Sequence, residues 1–139
     1  MTTLQTLTEH LLAFRDARDW RQFHTLRNLI VSLNLEAGEL LELTQWKDDA
    51  EIDALLATEA GHEALRDECA DVLLYLLLIA ERGGVDLLAA AEEKLAKNAA
   101  KYPAERCFGR SDKYTVLQGG EGREKGEGEP PSLTPRFPV

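Results

Sequence analysis

Residues 67–80 read Asp67-Glu68-Cys69-Ala70-Asp71-Val72-Leu73-Leu74-Tyr75-Leu76-Leu77-Leu78-Ile79-Ala80. Two acids stand i, i+3 and run without a break into an apolar block. Asp71 is followed at +3, +4 and +7 by Leu74, Tyr75 and Leu78, which is helical spacing rather than strand alternation. The helix is predicted from Glu63 to Arg82, stopping at Gly83-Gly84, a natural C-terminal exit. Over Val72–Ile79 it is apolar all round, which leaves no face for solvent and calls for burial on every side. A short chain has little scaffold to surround such a helix, so pairing with a second copy is the simplest completion.

Outward from this helix the same periodicity recurs. Thr3 to Ala17 sets Leu4, Leu7, Leu11 and Phe14 on one face, and Thr25 to Gln45 sets Leu26, Leu29, Leu33, Leu40 and Leu43 on another. A short helix is expected over Glu51 to Ala57. It crosses an acidic connector whose Asp48, Asp49, Glu51 and Asp53 have no apolar stripe and read as solvated. Asp86 can cap a fourth long helix that runs to Lys101 and ends before Pro103. The fold class is therefore all-α, a four-helix bundle over residues 1–118 completed by oligomerisation with a partner chain. Residues 119–139 hold five of the ten glycines and four of the five prolines, with hardly any apolar side chains. Such a segment cannot offset its ordering entropy and is expected to be a disordered tail.

With 139 residues, 44% hydrophobic and 29% charged, the chain has the composition of one globular domain. Its net charge of −9 excludes a protein that coats nucleic acid, because the phosphate backbone would be repelled. Met1 to Thr8 lacks a signal pattern, and the longest charge-free run, Val72 to Ala80, is too short to span a bilayer. Cys69 and Cys107 have no metal-type spacing, and Cys69 reads as a small buried hydrophobe. A cytoplasmic, reduced protein without a membrane partner is expected.

Acids inside apolar stripes carry the chemistry. Glu36 and Glu39 lie one turn apart, and Glu36 is three after Leu33 and four before Leu40. Glu68 and Asp71 repeat the arrangement, so two helices each direct a carboxylate pair toward the bundle interior. A lone E-x-x-E is ordinary solvated helix surface, but two pairs within stripes need a cation to offset their burial. Oxygen-only ligands favour a hard ion, Mg²⁺ first and Mn²⁺ next. Gly38, between Glu36 and Glu39, permits close backbone approach or serves as a packing notch. In the fourth helix Lys94, Lys97, Asn98 and Lys101 share a face, followed by Tyr102, Arg106, Arg110 and Lys113. These cations either complement the helix dipole or meet ligand phosphates. Trp20, His24, Trp46 and Tyr75 suit either core packing or contact with a base and sugar.

Taken in order, these residues resemble the all-α NTP pyrophosphohydrolases, the superfamily of MazG and dimeric dUTPase. The likeness is strongest to the MazG-like dCTP pyrophosphatase family. It is carried by Arg18-Asp19-Trp20-Arg21-Gln22-Phe23-His24, Arg27-Asn28-Leu29, Glu36-Ala37-Gly38-Glu39-Leu40 and Gln45-Trp46-Lys47. It continues through Glu68 to Tyr75, Val85-Asp86-Leu87, Lys94, Asn98, Tyr102-Pro103 and Lys113-Tyr114. The resemblance implies a metal site of Glu36, Glu39, Glu68 and Asp71. It also implies substrate contacts from Trp20, Arg21, Gln22, Phe23, His24, Trp46 and Tyr75, with Lys94 and Asn98 near the phosphates. The implied reaction turns a nucleoside triphosphate, dCTP or a modified dCTP, into the monophosphate and pyrophosphate, in a homodimer or a homotetramer built from dimers. A carboxylate only partly engaged with the metal can take the proton of a metal-activated water, and Glu39 is the candidate for that base. Cytosine-preferring relatives use a first-helix histidine where this chain has Leu11, with His10 one position away, so the base preference stays open.

Two rival readings remain at this point. A di-metal carboxylate bundle needs a Glu-x-x-His on each of two helices. This chain offers one, Glu59 to His62, away from the acid pairs. A non-catalytic helical interaction module would leave every acid on the surface.

Overall fold

The computed structural model describes residues 1–109. The tail expected over 119–139, the boundary at 118, and Arg110, Lys113 and Tyr114 lie outside the described residues. The helices are α1 (Leu4–Asp16), a 3₁₀ turn (Trp20–Phe23), α2 (Leu26–Glu42), α3 (Asp49–Leu56), α4 (Glu59–Gly83), α5 (Leu87–Lys101) and the short α6 (Ala104–Cys107). No strand occurs among the described residues. The all-α expectation holds, and its four long helices are α1, α2, α4 and α5.

α1, α2, α3 and α4 each begin where a side chain satisfies a free N–H group. Thr3 and Thr6 form a reciprocal capping box on α1, and Asp48 and Glu51 form another on α3. Two acids of the connector read as solvated thus have a structural task while remaining exposed. Thr25 Oγ1 accepts from Asn28 N at 3.2 Å to start α2, and Asn28 Nδ2 donates back to the Phe23 carbonyl at 2.9 Å. That second bond ties the 3₁₀ turn to the helix.

α4 begins four residues earlier than Glu63, because Thr58 Oγ1 accepts from Gly61 N at 3.0 Å and caps it there. Gly61 is buried, and a Cβ built on it would collide with the Leu55 carbonyl. The α3–α4 corner therefore closes only around a residue without a side chain. At the other end Gly84 adopts a left-handed φ of 64° while Val85 N donates to the Ala80 carbonyl at 2.9 Å. This is the glycine exit that the sequence implies.

The chain divides into two compact units, Met1–Leu87 and Leu88 onward. In the first, α4 is the central helix, with α1, α2 and α3 packed against it. α2 runs antiparallel to α4. Thr25 shares a cavity with Arg82 at one end, and Glu36 and Glu39 meet Glu68 farther along. The buried hydrophobic residues are Leu29, Leu77, Leu78 and Ala80. Leu73 and Leu76, in the block expected to be buried on every side, remain 36% and 38% exposed. Cys69 is exposed as well, contrary to its expected burial, because it turns away from the face that α2 covers. In the second unit, α5 carries Lys94, Lys97, Asn98 and Lys101, and Lys97 pairs at 3.7 Å with Glu93 one turn back.

Candidate metal centre and substrate cavity

α2 and α4 bring together acids that lie about thirty residues apart in sequence. One carboxylate oxygen each from Glu36, Glu39 and Glu68 lies within 4.8 Å of the other two. Glu36 and Glu68 are half-buried and Glu39 is exposed. The Glu68 Oε2 atom is buried and has no hydrogen-bond partner. Burial pushes the Glu36 carboxyl above its ordinary range, and the charges of Glu39, Asp71 and Glu68 push it the same way. Burial raises Glu68 too, reinforced by Glu39, Asp71, Asp67 and Glu42. An orphaned buried oxygen among like charges suits a divalent cation with oxygen ligands, so the residues present fit the implied metal.

Asp71 belongs to this field through its charge, but it is exposed and lies outside the triad of converging oxygens. The expected interior pair on each helix is therefore corrected. At 3.6 residues per turn, Asp71 sits about 60° around α4 from Glu68, off the seam that α2 covers. Glu39 likewise reaches the cluster from the open side. Gly38, read as a packing notch, has open space beside it, with no atom within 4 Å of an added Cβ. Glu42 was not among the sequence candidates, although it continues the i, i+3 series of Glu36 and Glu39, and that spacing was the available signal.

The aromatic and polar candidates fall into separate places. Arg21, Gln22 and His24 line a cavity of about 510 Å³ with Arg15, Thr25, Glu81 and Arg82. Thr25 and Glu36 are eleven residues apart on one helix, so about 16 Å of helix axis separates this cavity from the acid cluster. Arg15 is only 5% exposed. Its Nε donates to Asp16 at 2.7 Å and its Nη1 to Glu81 at 3.3 Å, which ties α1 to α4. His24 Nδ1 is buried without a partner, and burial, then the Arg15 charge, push the imidazole below its ordinary value. Arg15 carried no sequence signal beyond a cation at the end of an amphipathic helix.

Trp20 and Phe23 on the 3₁₀ turn are 43% and 61% exposed, and Tyr75 on α4 is half-buried. Trp46 is 92% exposed at a left-handed φ of 63°, just beyond α2. A bulky residue seldom adopts that backbone, and an exposed aromatic held there is suited to contact. Lys94 is exposed and Asn98 half-buried on α5, within the second unit.

A helical hairpin that brings carboxylates together from facing turns, one of their oxygens buried and unpartnered, is an arrangement that can hold a divalent cation. The MazG-like family model matches residues 31–117, and the chain belongs to that family. It is 41% identical over 133 residues to dCTP pyrophosphatase 1 of Rattus norvegicus, covering 94% of this chain and 78% of the relative. Against dCTP pyrophosphatase 1 of Homo sapiens the identity is 42% over 118 residues, covering 85% and 69%. Among solved structures it is similar to a pyrophosphatase from Archaeoglobus fulgidus, with 36% identity and a TM-score of 0.68, covering 74% of this chain and 94% of that one. Pyrophosphatases of this family are generally metal-dependent, in keeping with the acid cluster. No helix among the described residues is long and apolar enough to cross a membrane.

Proposed function

We propose that the protein hydrolyses dCTP or a base-modified dCTP to the monophosphate and pyrophosphate, with Mg²⁺ held by Glu36, Glu39, Glu68 and Asp71. The observation that carries this reading is the convergence of one carboxylate oxygen each from Glu36, Glu39 and Glu68, together with a buried, unpartnered Glu68 Oε2. The names of the relatives supply the substrate. When bound, the metal supplies charge neutralisation at the phosphates and acidifies water, and Mn²⁺ is the expected substitute.

The chain's own residues do the remaining work. A water oxygen bonds to the α-phosphorus in line with the α–β bridging oxygen, that bond breaks, and pyrophosphate departs. Glu39 takes the water's proton. It is the member of the triad open to solvent, and its carboxylate stays within reach of the other two. Glu36, Glu68 and Asp71 would hold the cation, which would neutralise charge at the phosphate end. Trp20, Trp46 and Tyr75 contact base and sugar, Arg21, Gln22, Phe23 and His24 complete the substrate contacts, and Lys94 and Asn98 meet the phosphates. The active assembly is a homodimer or a dimer of dimers, and the enzyme works in the cytoplasm on free nucleotides, not on nucleic acid.

The test is a panel of nucleoside triphosphates with Mg²⁺, assayed separately for pyrophosphate and orthophosphate. Pyrophosphate with monophosphate, fastest for dCTP or a 5-substituted dCTP, is expected. Orthophosphate with nucleoside diphosphate would overturn the cleavage point, and a purine preference would overturn the substrate.

A further inference from the structure

Trp20 keeps 43% of its surface open, yet its direction is fixed from two sides. Its ring meets the Phe14 ring edge-to-face, with centroids 5.8 Å apart and planes at 76°. The Arg18 guanidinium lies 3.6 Å from the Phe14 centroid and 5.8 Å from that of Trp20. Arg18 Nη1 also donates to the Phe14 carbonyl at 2.9 Å, a second contact with the residue whose ring it covers. Asp19, just before Trp20, takes a left-handed φ of 54°. Gln22 Nε2 holds that turn by donating to the Asp19 carbonyl at 3.0 Å and to its carboxylate at 2.7 Å.

We propose that Arg18 is a positioning residue for substrate binding: clamped on Phe14, it holds the Trp20 indole so that its open surface receives the nucleobase. This rests on the reading of Trp20 as a substrate contact. A guanidinium is planar and always charged, so it can lie flat on one ring while its charge draws a second. Edge-to-face geometry then sets the angle of that second ring. A stacking surface fixed before the ligand arrives loses less freedom on binding than a mobile one, and the gain appears as affinity. Arg18 touches neither phosphate nor metal in this role. Its removal should therefore act on binding and leave the chemical step alone.

Two arms test this. Arg18→Met keeps the length of the side chain and removes its charge and plane, while Arg18→Lys keeps the charge alone. Arg18→Met should raise KM about fivefold with kcat within about twofold, and Arg18→Lys should fall between it and wild type. In a Trp20→Ala background Arg18→Met should add nothing further to KM, because its effect passes through the indole. KM penalties that multiply in the double variant overturn the proposal.

The second arm needs no substrate. Trp46→Phe leaves Trp20 as the single indole of the original two. Arg18→Met in that background should make Trp20 more accessible to acrylamide and lower its fluorescence anisotropy. Phe14→Leu, which removes the platform and spares the arginine, should give the same signature if Arg18→Met folds poorly. Unchanged quenching and anisotropy in both variants would overturn the clamp. A wild-type enzyme inactive on every nucleotide would instead count against the substrate reading, with the fluorescence still deciding the clamp.

Discussion

Replacing Glu68 by Gln keeps the side chain's shape and removes one charge from the acid cluster, so it separates stability from catalysis. The carboxyls of Glu36 and Glu68 sit above their ordinary range in the folded chain. A raised folded value gives stability that is fully present below the ordinary glutamate pKa, about 4.3, and lost as pH rises through the folded value. Metal-free wild type should therefore melt lower at pH 7 than a curve of Glu68→Gln measured beside it, and the difference should vanish toward pH 4. With Mg²⁺ present, pyrophosphate release by Glu68→Gln should drop by about a hundredfold or more. Equal melting curves with full turnover would remove Glu68 from the site. Glu36 and Glu68 were legible in the sequence because each interrupts an apolar stripe. The exposure of Asp71 was not, since it depends on which seam α2 covers and not on which residues follow. Trp46 was legible as an aromatic but not as a strained one, because φ is set by the turn that ends α2.

At the scale of the helices, the crossing of α3 and α4 is the most demanding contact. Gly61→Ala would normally stabilise a helix interior, yet here the new methyl meets the Leu55 backbone. A net loss of about 1–3 kcal/mol is expected, read as a lower urea midpoint with unchanged slope. A gain would mean that the corner opens without cost. The helices themselves were largely legible, since the caps Thr3 and Thr25 are residue types that begin helices. The start of α4 was placed late because a glycine in the first turn weakens the helical signal, whereas in the fold that glycine is what lets two helices meet. Likewise α2 ends before Gln45, at a turn whose left-handed residue is a tryptophan where glycine would be the usual marker.

At the scale of the molecule, α4 leaves Leu73 and Leu76 exposed, and α2 leaves Ile30, Val31 and Leu35 exposed at 44%, 51% and 63%. A second copy is the proposed cover. Leu76→Glu should shift sedimentation from an oligomer toward the monomer and lower activity with it, and an unchanged sedimentation coefficient would place the interface elsewhere. Deleting residues 119–139 should leave kcat/KM within about twofold, because the segment offers almost no apolar surface; a tenfold loss would give it a role at the site. The proposed partner rests on one over-apolar helix, and the residues that would meet it depend on how α2 and α4 share their faces. The few buried hydrophobic side chains among the described residues of the first unit, Leu29, Leu77, Leu78 and Ala80, have a further consequence. A fold whose largest apolar faces close only against another copy has no melting temperature of its own, only one for each dilution. Thermal scans over a hundredfold range of protein concentration should trace a rising midpoint, and the slope of that line would measure how much of the fold is borrowed from its neighbour.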